Sequence, residues 1–263
     1  MRDNSDIPYI EPNEEINPSL LSMAGTLIAP SHDELESDPR LAAAFGRNPK
    51  GSPKNNAIDY KFDPENTWFT SDTHFCHEKI IEFCNRPFGS VDKMNEELIR
   101  RWNETVPPDG IVFHLGDFCL GHPGDWNDIL NQLNGQIYLI LGNHDMKYIK
   151  QGSMKRFVYV TQQMSIRVGG QAIILNHNPF LCYGGAYRNV WQLFGHVHSG
   201  PQSKNGLDVP RLNMLFPTQY DVGVDNNDFR PISFQKLDLV ITLRRGDEDI
   251  KNGNYEIVDI DEL

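Results

Sequence analysis

Residues 67–74, Thr67-Trp68-Phe69-Thr70-Ser71-Asp72-Thr73-His74, set the fold: a short apolar and β-branched run closes on a carboxylate and an imidazole two residues apart. Such a run, bounded by polar residues, reads as a buried strand. The same order recurs four times. Ile111 to Leu115 leads into Gly116-Asp117, and Ile137 to Leu141 into Gly142-Asn143-His144-Asp145. Ala172 to Leu175 leads into Asn176-His177, and Trp191 to Phe194 into Gly195-His196-Val197-His198. Loops at strand ends hold functional groups on a rigid scaffold. The pattern therefore predicts metal-ligating groups at five strand ends.

Between the first runs the pattern is helical. Val91, Met94, Leu98 and Trp102 recur at spacings of three and four, with Ser90 as N-cap of a helix to Thr105. Shorter helices are predicted at His77 to Cys84 and Asp125 to Leu133, with turns at Pro107-Pro108-Asp109-Gly110 and Gly135. This strand, helix, strand order predicts parallel pairing. Beyond Lys150 the rhythm changes: Phe157 to Val160, Ser165 to Val168 and Ala172 to Leu175 follow closely, the last two joined by a Gly169-Gly170 hairpin turn. Further strands are expected at Tyr220 to Val224 and Leu239 to Leu243. Helix-flanked strands followed by a meander fit two packed sheets covered by helices.

A chain of 263 residues admits one large domain or two small ones, and 39% apolar residues suffice for a sizeable core. Seven prolines between Pro8 and Pro53 break the first segment, so residues 1–60 are expected to form a partly ordered extension, suited to an oligomer or partner contact. The domain proper is expected over residues 61–245, with an acidic tail at 246–263. No apolar run reaches 18 residues and the N-terminus has no basic and apolar leader, so a cytoplasmic protein without membrane contact is expected. The four cysteines show no C-x-x-C pairing and read as free thiols. The formal charge of −12 sits in the ends: residues 67–236 hold 16 acidic and 15 basic side chains. Bound cations would in any case dominate the local field of their site.

Asp72 and His74, two apart, would point to one side of an extended backbone. Asp117 suits a bridging role because its carboxylate has two oxygens, and Asn143 can ligate through its side-chain carbonyl. Imidazole with carboxylate and no thiolate favours manganese, iron, zinc, cobalt or nickel. Single histidines after strands are more often structural, and His32, His114 and His122 take that reading.

The ordered set Asp72, His74, Asp117, Asn143, His177, His196 and His198 resembles that of the calcineurin-like metallophosphoesterases, over about residues 67–236. The resemblance implies an α/β fold, a four-layer αββα sandwich of two mixed sheets flanked by helices. It implies two divalent transition-metal ions, the first held by Asp72, His74, Asp117 and His198, the second by Asp117, Asn143, His177 and His196. The activity it implies is hydrolysis of a phosphodiester or phosphomonoester by a metal-bridging hydroxide. In that reading His144 contacts the scissile phosphate or leaving oxygen, with Asp145 placed to orient its ring.

Asn143, His77, Arg86 and Arg188, with Tyr183 beside them, are expected substrate contacts. The segments Asn85-Arg86-Pro87-Phe88 and Tyr220-Asp221-Val222-Gly223-Val224-Asp225 resemble a bacterial and phage-type branch, in which Asn is expected at Asp221. The expected substrate is a small phosphate ester or nucleotide. The alternatives are a catalytically silent scaffold for protein binding and a nuclease, the latter drawing on Lys147, Lys150, Lys155 and Arg156 as a basic track.

Overall fold

A computed structural model describes residues 60–148, 156–200 and 212–251. Its elements begin with β1 (Tyr60–Phe62), β2 (Thr67–Thr70), α1 (Glu78–Phe83), α2 (Val91–Thr105), β3 (Ile111–His114), α3 (Pro123–Gln132), β4 (Gln136–Ile140) and α4 (Asp145–Tyr148). They continue with β5 (Phe157–Thr161), β6 (Gln163–Val168), β7 (Gln171–Asn176), β8 (Trp191–Phe194), β9 (Gln219–Asp221), β10 (Ile232–Ser233) and α5 (Phe234–Lys251).

Two five-stranded sheets result, in the orders β10-β2-β3-β4-β5 and β1-β6-β7-β8-β9. Each is mixed: β10 runs antiparallel to β2, and β6 antiparallel to β7, while every other pairing is parallel. The expected arrangement of two mixed sheets with helices outside is present.

Alternation along the strands sorts the core into two layers. Phe69, Phe113, Tyr138 and Ile140 face Ile166, Ile173, Leu175, Trp191 and Leu193 between the sheets. On the opposite face of the first sheet, Trp68, Val112, Ile137 and Leu139 meet Met94, Leu98 and Trp102 of α2 and Trp126 and Leu130 of α3. Ser90 caps α2 as expected, accepting from the Lys93 N–H at 3.3 Å.

Two expectations about the strands fail here, each for a physical reason. Leu239 to Leu243 is no strand but the middle of α5, which buries Phe234, Leu237 and Ile241 at helical spacing in the inter-sheet layer. A short apolar run cannot separate strand from helix by itself. That helix runs on to Lys251, into the segment assigned to the tail.

The later strands are not a meander either. β5 joins the first sheet parallel to β4, and β7, β8 and β9 are mutually parallel. The loops that leave β4, β7 and β8 carry proposed ligands, and no long helical periodicity announced the parallel pairing.

Finally, β1 pairs parallel with β6 at the boundary drawn for the extension. The rest of the extension call, residues 1–59, and the tail beyond 251 lie outside the described residues, as do Lys150 and Lys155 of the basic track. Among the described residues no helix is long and apolar enough to cross a membrane.

Candidate metal centre

The five islands leave the carboxyl ends of β2, β3, β4, β7 and β8, the side of an α/β sheet where ligands bind. Parallel pairing is what brings them together, because neighbouring parallel strands end on the same side. The Asp72 N–H donates to Gly116 O (2.9 Å) and the His74 N–H to Asp117 O (3.0 Å), stitching the first loop to the second. His114, fully buried, completes the stitch. Its Nδ1 accepts from the Gly116 N–H at 3.2 Å, so Nε2–H donates to Thr73 Oγ1 (2.9 Å), and that hydroxyl donates to Phe118 O (2.8 Å). Burial pushes the His114 imidazole down to about 3, which keeps it neutral in this role.

Asp72 and His74 do meet, but not by extended alternation. Asp72, His74, Asp117, His196 and His198 all have positive φ, between 47° and 71°. Left-handed backbone at non-glycine residues is strained and concentrates where surrounding structure over-determines it for function. Glycine is obligatory beside them: a Cβ on Gly195 would collide with Ser71 Oγ and Asp72 Oδ2.

The side chains converge on Asp117. Its Oδ2 lies 3.6 Å from His74 Nε2 and 3.5 Å from His177 Nε2. Asp72 Oδ1 lies 3.8 Å from both His74 Nε2 and His198 Nε2. Three groups among the described residues could each hold a cation: Asp72, His74 and His198; Asp117, His177 and His196; and Cys84, His198 and Asp225, which shares His198 with the first. Asn143 joins the second, its Oδ1 3.1 Å from His177 Nε2. These separations are mostly too long for hydrogen bonds. They approach the roughly 3–3.5 Å expected between ligands each about 2.0–2.2 Å from one ion.

Whether a cation fits can be tested on the polar atoms themselves. Asp72 Oδ1 and His74 Nε2 are buried with no hydrogen-bond partner, a costly condition that a shared ion relieves. The outer contacts also prepare the rings. His177 Nδ1–H donates to Leu115 O (2.7 Å) and His198 Nδ1–H to Asp225 Oδ2 (2.8 Å), leaving both Nε2 lone pairs turned inward.

A family model for calcineurin-like phosphoesterases matches residues 66–230. The chain belongs to that family. Over 178 residues the chain is 34% identical to an uncharacterized protein of Methanocaldococcus jannaschii, covering 67% of this chain and 89% of the other. It is 30% identical over 186 residues to the gene 66 protein of Mycobacterium phage D29, covering 61% of this chain and 88% of the other. The solved structure of a protein of unknown function from Aquifex aeolicus matches with a TM-score of 0.50 at 25% identity, over 66% of this chain and 98% of that one.

Burial and the neighbouring carboxylates together set the protonation of the histidines at this site. Burial alone would lower His198, but the Asp72 carboxylate and the hydrogen bond to Asp225 carry it up to about 11. His177 is likewise depressed by burial and carried to about 9, by Asp117 and Asp72. His74 is held well below its ordinary value by burial and then by His198. At neutral pH, protons on His177 and His198 must leave before Nε2 can ligate, so metal affinity should fall as pH falls. Calorimetry at pH 7 in buffers of different ionisation enthalpy is expected to show release of about two protons. Metal uptake with none released would show that neither ring carries an extra proton at pH 7 in the metal-free protein.

Several residues occupy roles other than those expected. Asp145, expected to orient His144, is fully buried, and its carboxylate accepts from the backbone N–H groups of Asp117 (2.7 Å), Phe118 (2.9 Å) and Gly142 (2.9 Å). It joins two ligand loops instead of holding the imidazole. Burial raises its carboxyl to about 6.

Arg86, expected on substrate, has all five N–H donors engaged inside the protein. Nε and Nη2 clamp Asp225 (2.8 and 2.9 Å), Nη2 also donates to Asp72 O (2.7 Å), and Nη1 donates to Thr73 O (2.9 Å) and Met94 Sδ (3.5 Å). No donor remains for phosphate.

Arg188 sits in an exposed 3-10 turn, Ala186–Arg188, and is not among the residues lining the metal cleft. Tyr183 donates to Val190 O (3.2 Å) beside that turn. His77 stays at the cleft wall, its Nδ1 3.2 Å from His74 Nδ1.

Asp225 is the residue that sequence reasoning missed, although it closes the second segment of the branch resemblance. The two segments meet here: Arg86 from the first clamps Asp225 from the second, and Asp225 holds His198. Burial would raise the Asp225 carboxyl, yet Arg86 and His198 bring it to about 2. Asp221, which stands where Asn was expected, is also buried and accepts from the N–H groups of Ser199 (3.0 Å) and Gly223 (2.8 Å), tying the loop after His198 to β9. Removing one partner of a buried ion pair costs about 3–5 kcal/mol. Arg86→Ala should lose that much in denaturant unfolding. Arg86→Lys should not restore it, because an ammonium cannot reproduce the fork; a lysine variant of parental stability would refute the clamp.

Proposed function

We propose that the chain is a dinuclear metal-dependent phosphoesterase, hydrolysing a phosphodiester or phosphomonoester of a small molecule or nucleotide. The observation that carries the reading is the pair of buried, unpartnered ligand atoms, Asp72 Oδ1 and His74 Nε2, beside an Asp117 oxygen shared with His177. Asp72, His74, Asp117 and His198 would hold one divalent cation and Asp117, Asn143, His177 and His196 the other. When bound, such a pair supplies Lewis acidity, lowering the pKa of a water toward hydroxide and drawing charge from the phosphoryl oxygens.

The chain's own residues supply the rest. The cleft, roughly 470 Å³, is lined by five of these ligands, His74, Asp117, Asn143, His196 and His198, with His77, His144, Ile80, Phe83 and Cys84. His144 stands at its mouth, the side chain 44% exposed and Nε2 3.9 Å from Asp117 Oδ2. There it can reach a bound phosphoryl group and still exchange protons with solvent, as a general acid or hydrogen-bond donor to the leaving oxygen requires. The backbone N–H of the same residue donates to Asp117 Oδ1 (2.9 Å), which fixes the shared carboxylate in place.

The test is elemental analysis of the purified protein, followed by hydrolysis assays on aryl phosphates, aryl phosphodiesters and cyclic nucleotides. Bound divalent metal with turnover of at least one class is expected. Stoichiometric metal with no hydrolysis anywhere would favour a silent scaffold.

A further inference from the structure

A second hollow, of roughly 490 Å³, adjoins the metal cleft. The two share one wall, the ring of His196. Its chemistry is opposite to that of the cleft. Leu181, Val197, Met214 and Leu215 line it, and the polar groups are Asn178, next to His177, and His196 itself. Leu181 and Met214 are 67% and 66% exposed, so two large apolar side chains stand in water at the margin of a hydrolytic centre. A concave, mostly apolar space of this size with few convergent polar groups is what small-molecule sites offer.

The hollow is built by the loops that follow β7 and β8 and by the segment before β9. Two of those loops carry His177 and His196. A phosphoryl group on the second half of the centre would therefore have its ester substituent within reach of the hollow. We infer that this hollow is a specificity subsite that takes an apolar or aromatic ester group of the substrate, with the phosphoryl group on the metal centre. The inference rests on the phosphoesterase reading above and narrows it. The natural substrate carries a bulky uncharged group beside its phosphate, and burying that group also covers Leu181 and Met214.

The experiment uses n-alkylphosphonates, from methyl to hexyl, titrated calorimetrically into manganese-loaded protein. They present the same anion to the metals and differ only in apolar length. Affinity is expected to rise about threefold to fourfold with each of the first few methylenes, the increment for burying a CH₂. Leu181→Ser and Met214→Ser should flatten that rise, and neither opens a core because both side chains already lie mostly in solvent.

Equal affinity along the series, or a rise unaltered in both variants, would overturn the subsite. So would concentration-dependent self-association that the same substitutions relieve, which would assign the hollow to a second copy of the chain. Equal affinities with methylphosphonate bound and aryl phosphates still hydrolysed would remove the subsite alone. Loss of both binding and hydrolysis would remove the phosphoesterase reading as well.

Discussion

Asp117→Ala is expected to weaken metal binding by more than about 100-fold, beyond the 10- to 100-fold that outer partners of ligands cost, and to abolish hydrolysis with it. Asp117 stands between the two groups of proposed ligands. One carboxylate oxygen lies within 3.6 Å of His74 Nε2 on one side and 3.5 Å of His177 Nε2 on the other. The second oxygen accepts the His144 N–H.

Removing the carboxylate would therefore take a ligand from each of the two proposed cations and free the loop that carries Asn143 and His144. The fold should survive, because the backbone of Asp117 stays held by His74 N–H and by the Asp145 carboxylate. Asp117→Asn separates charge from shape: it keeps an oxygen to accept from His144 but loses the negative charge that draws cations in. Metal per protein after chelation and reconstitution checks both variants. Two equivalents bound by the alanine variant would disprove a shared ligand.

Much of this site was legible in the residues, and the reasons are specific. Ligand chemistry depends on residue type, so Asp72, His74 and His198 stand out wherever they fall, and runs such as Ile111 to His114 mark strands by length and β-branching. The parallel pairing of the later strands was not legible. No long helical periodicity separates the Ile137 run from the Phe157 run, so β5 looked like the start of a meander.

Roles that depend on burial were hidden for a related reason. Nothing in Asn85-Arg86-Pro87-Phe88 says that the guanidinium faces inward toward a carboxylate from a segment 139 residues away. An arginine beside a metal ligand reads naturally as a phosphate contact until each of its N–H groups is found to be occupied. Asp145 misled in the same way. Adjacency to His144 suggested an orienting partner, yet a buried carboxylate goes where unsatisfied N–H groups are densest, and here that is the seam between two loops.

The left-handed backbone at five of the proposed ligands was equally invisible. An Asp-x-His spacing is compatible with an extended strand, and only the register of β2 against β3 forces the chain to turn as it leaves the sheet. The strain is held by hydrogen bonds that also seat the ligands, so geometry and ligand placement stand or fall together.

The second large effect expected is His144→Ala with metals retained, which should cut turnover by about 100- to 10,000-fold, the range of positioned acid–base groups. The substitution isolates the ring. The contact of His144 with Asp117 is made by its backbone N–H, which alanine keeps, and the ring is half exposed, so its loss opens no core.

Its neighbours within reach, His74 at 5.5 Å and His77 at 6.3 Å between ring centroids, cannot take over. The lone pair of His74 is directed at the metal position, and His77 hydrogen-bonds His74. Asp145→Ala provides the contrast. Its carboxylate does not serve His144, so that variant should lose stability and metal content through three orphaned N–H groups, without the pH-profile change that removal of an acid–base group brings. Substrates with good leaving groups should suffer least from His144→Ala, because a stable aryloxide needs little protonation as it departs. If turnover of the variant matched the parent on poor and good leaving groups alike, with both cations bound, the imidazole at the mouth of the cleft would have no part in the chemistry.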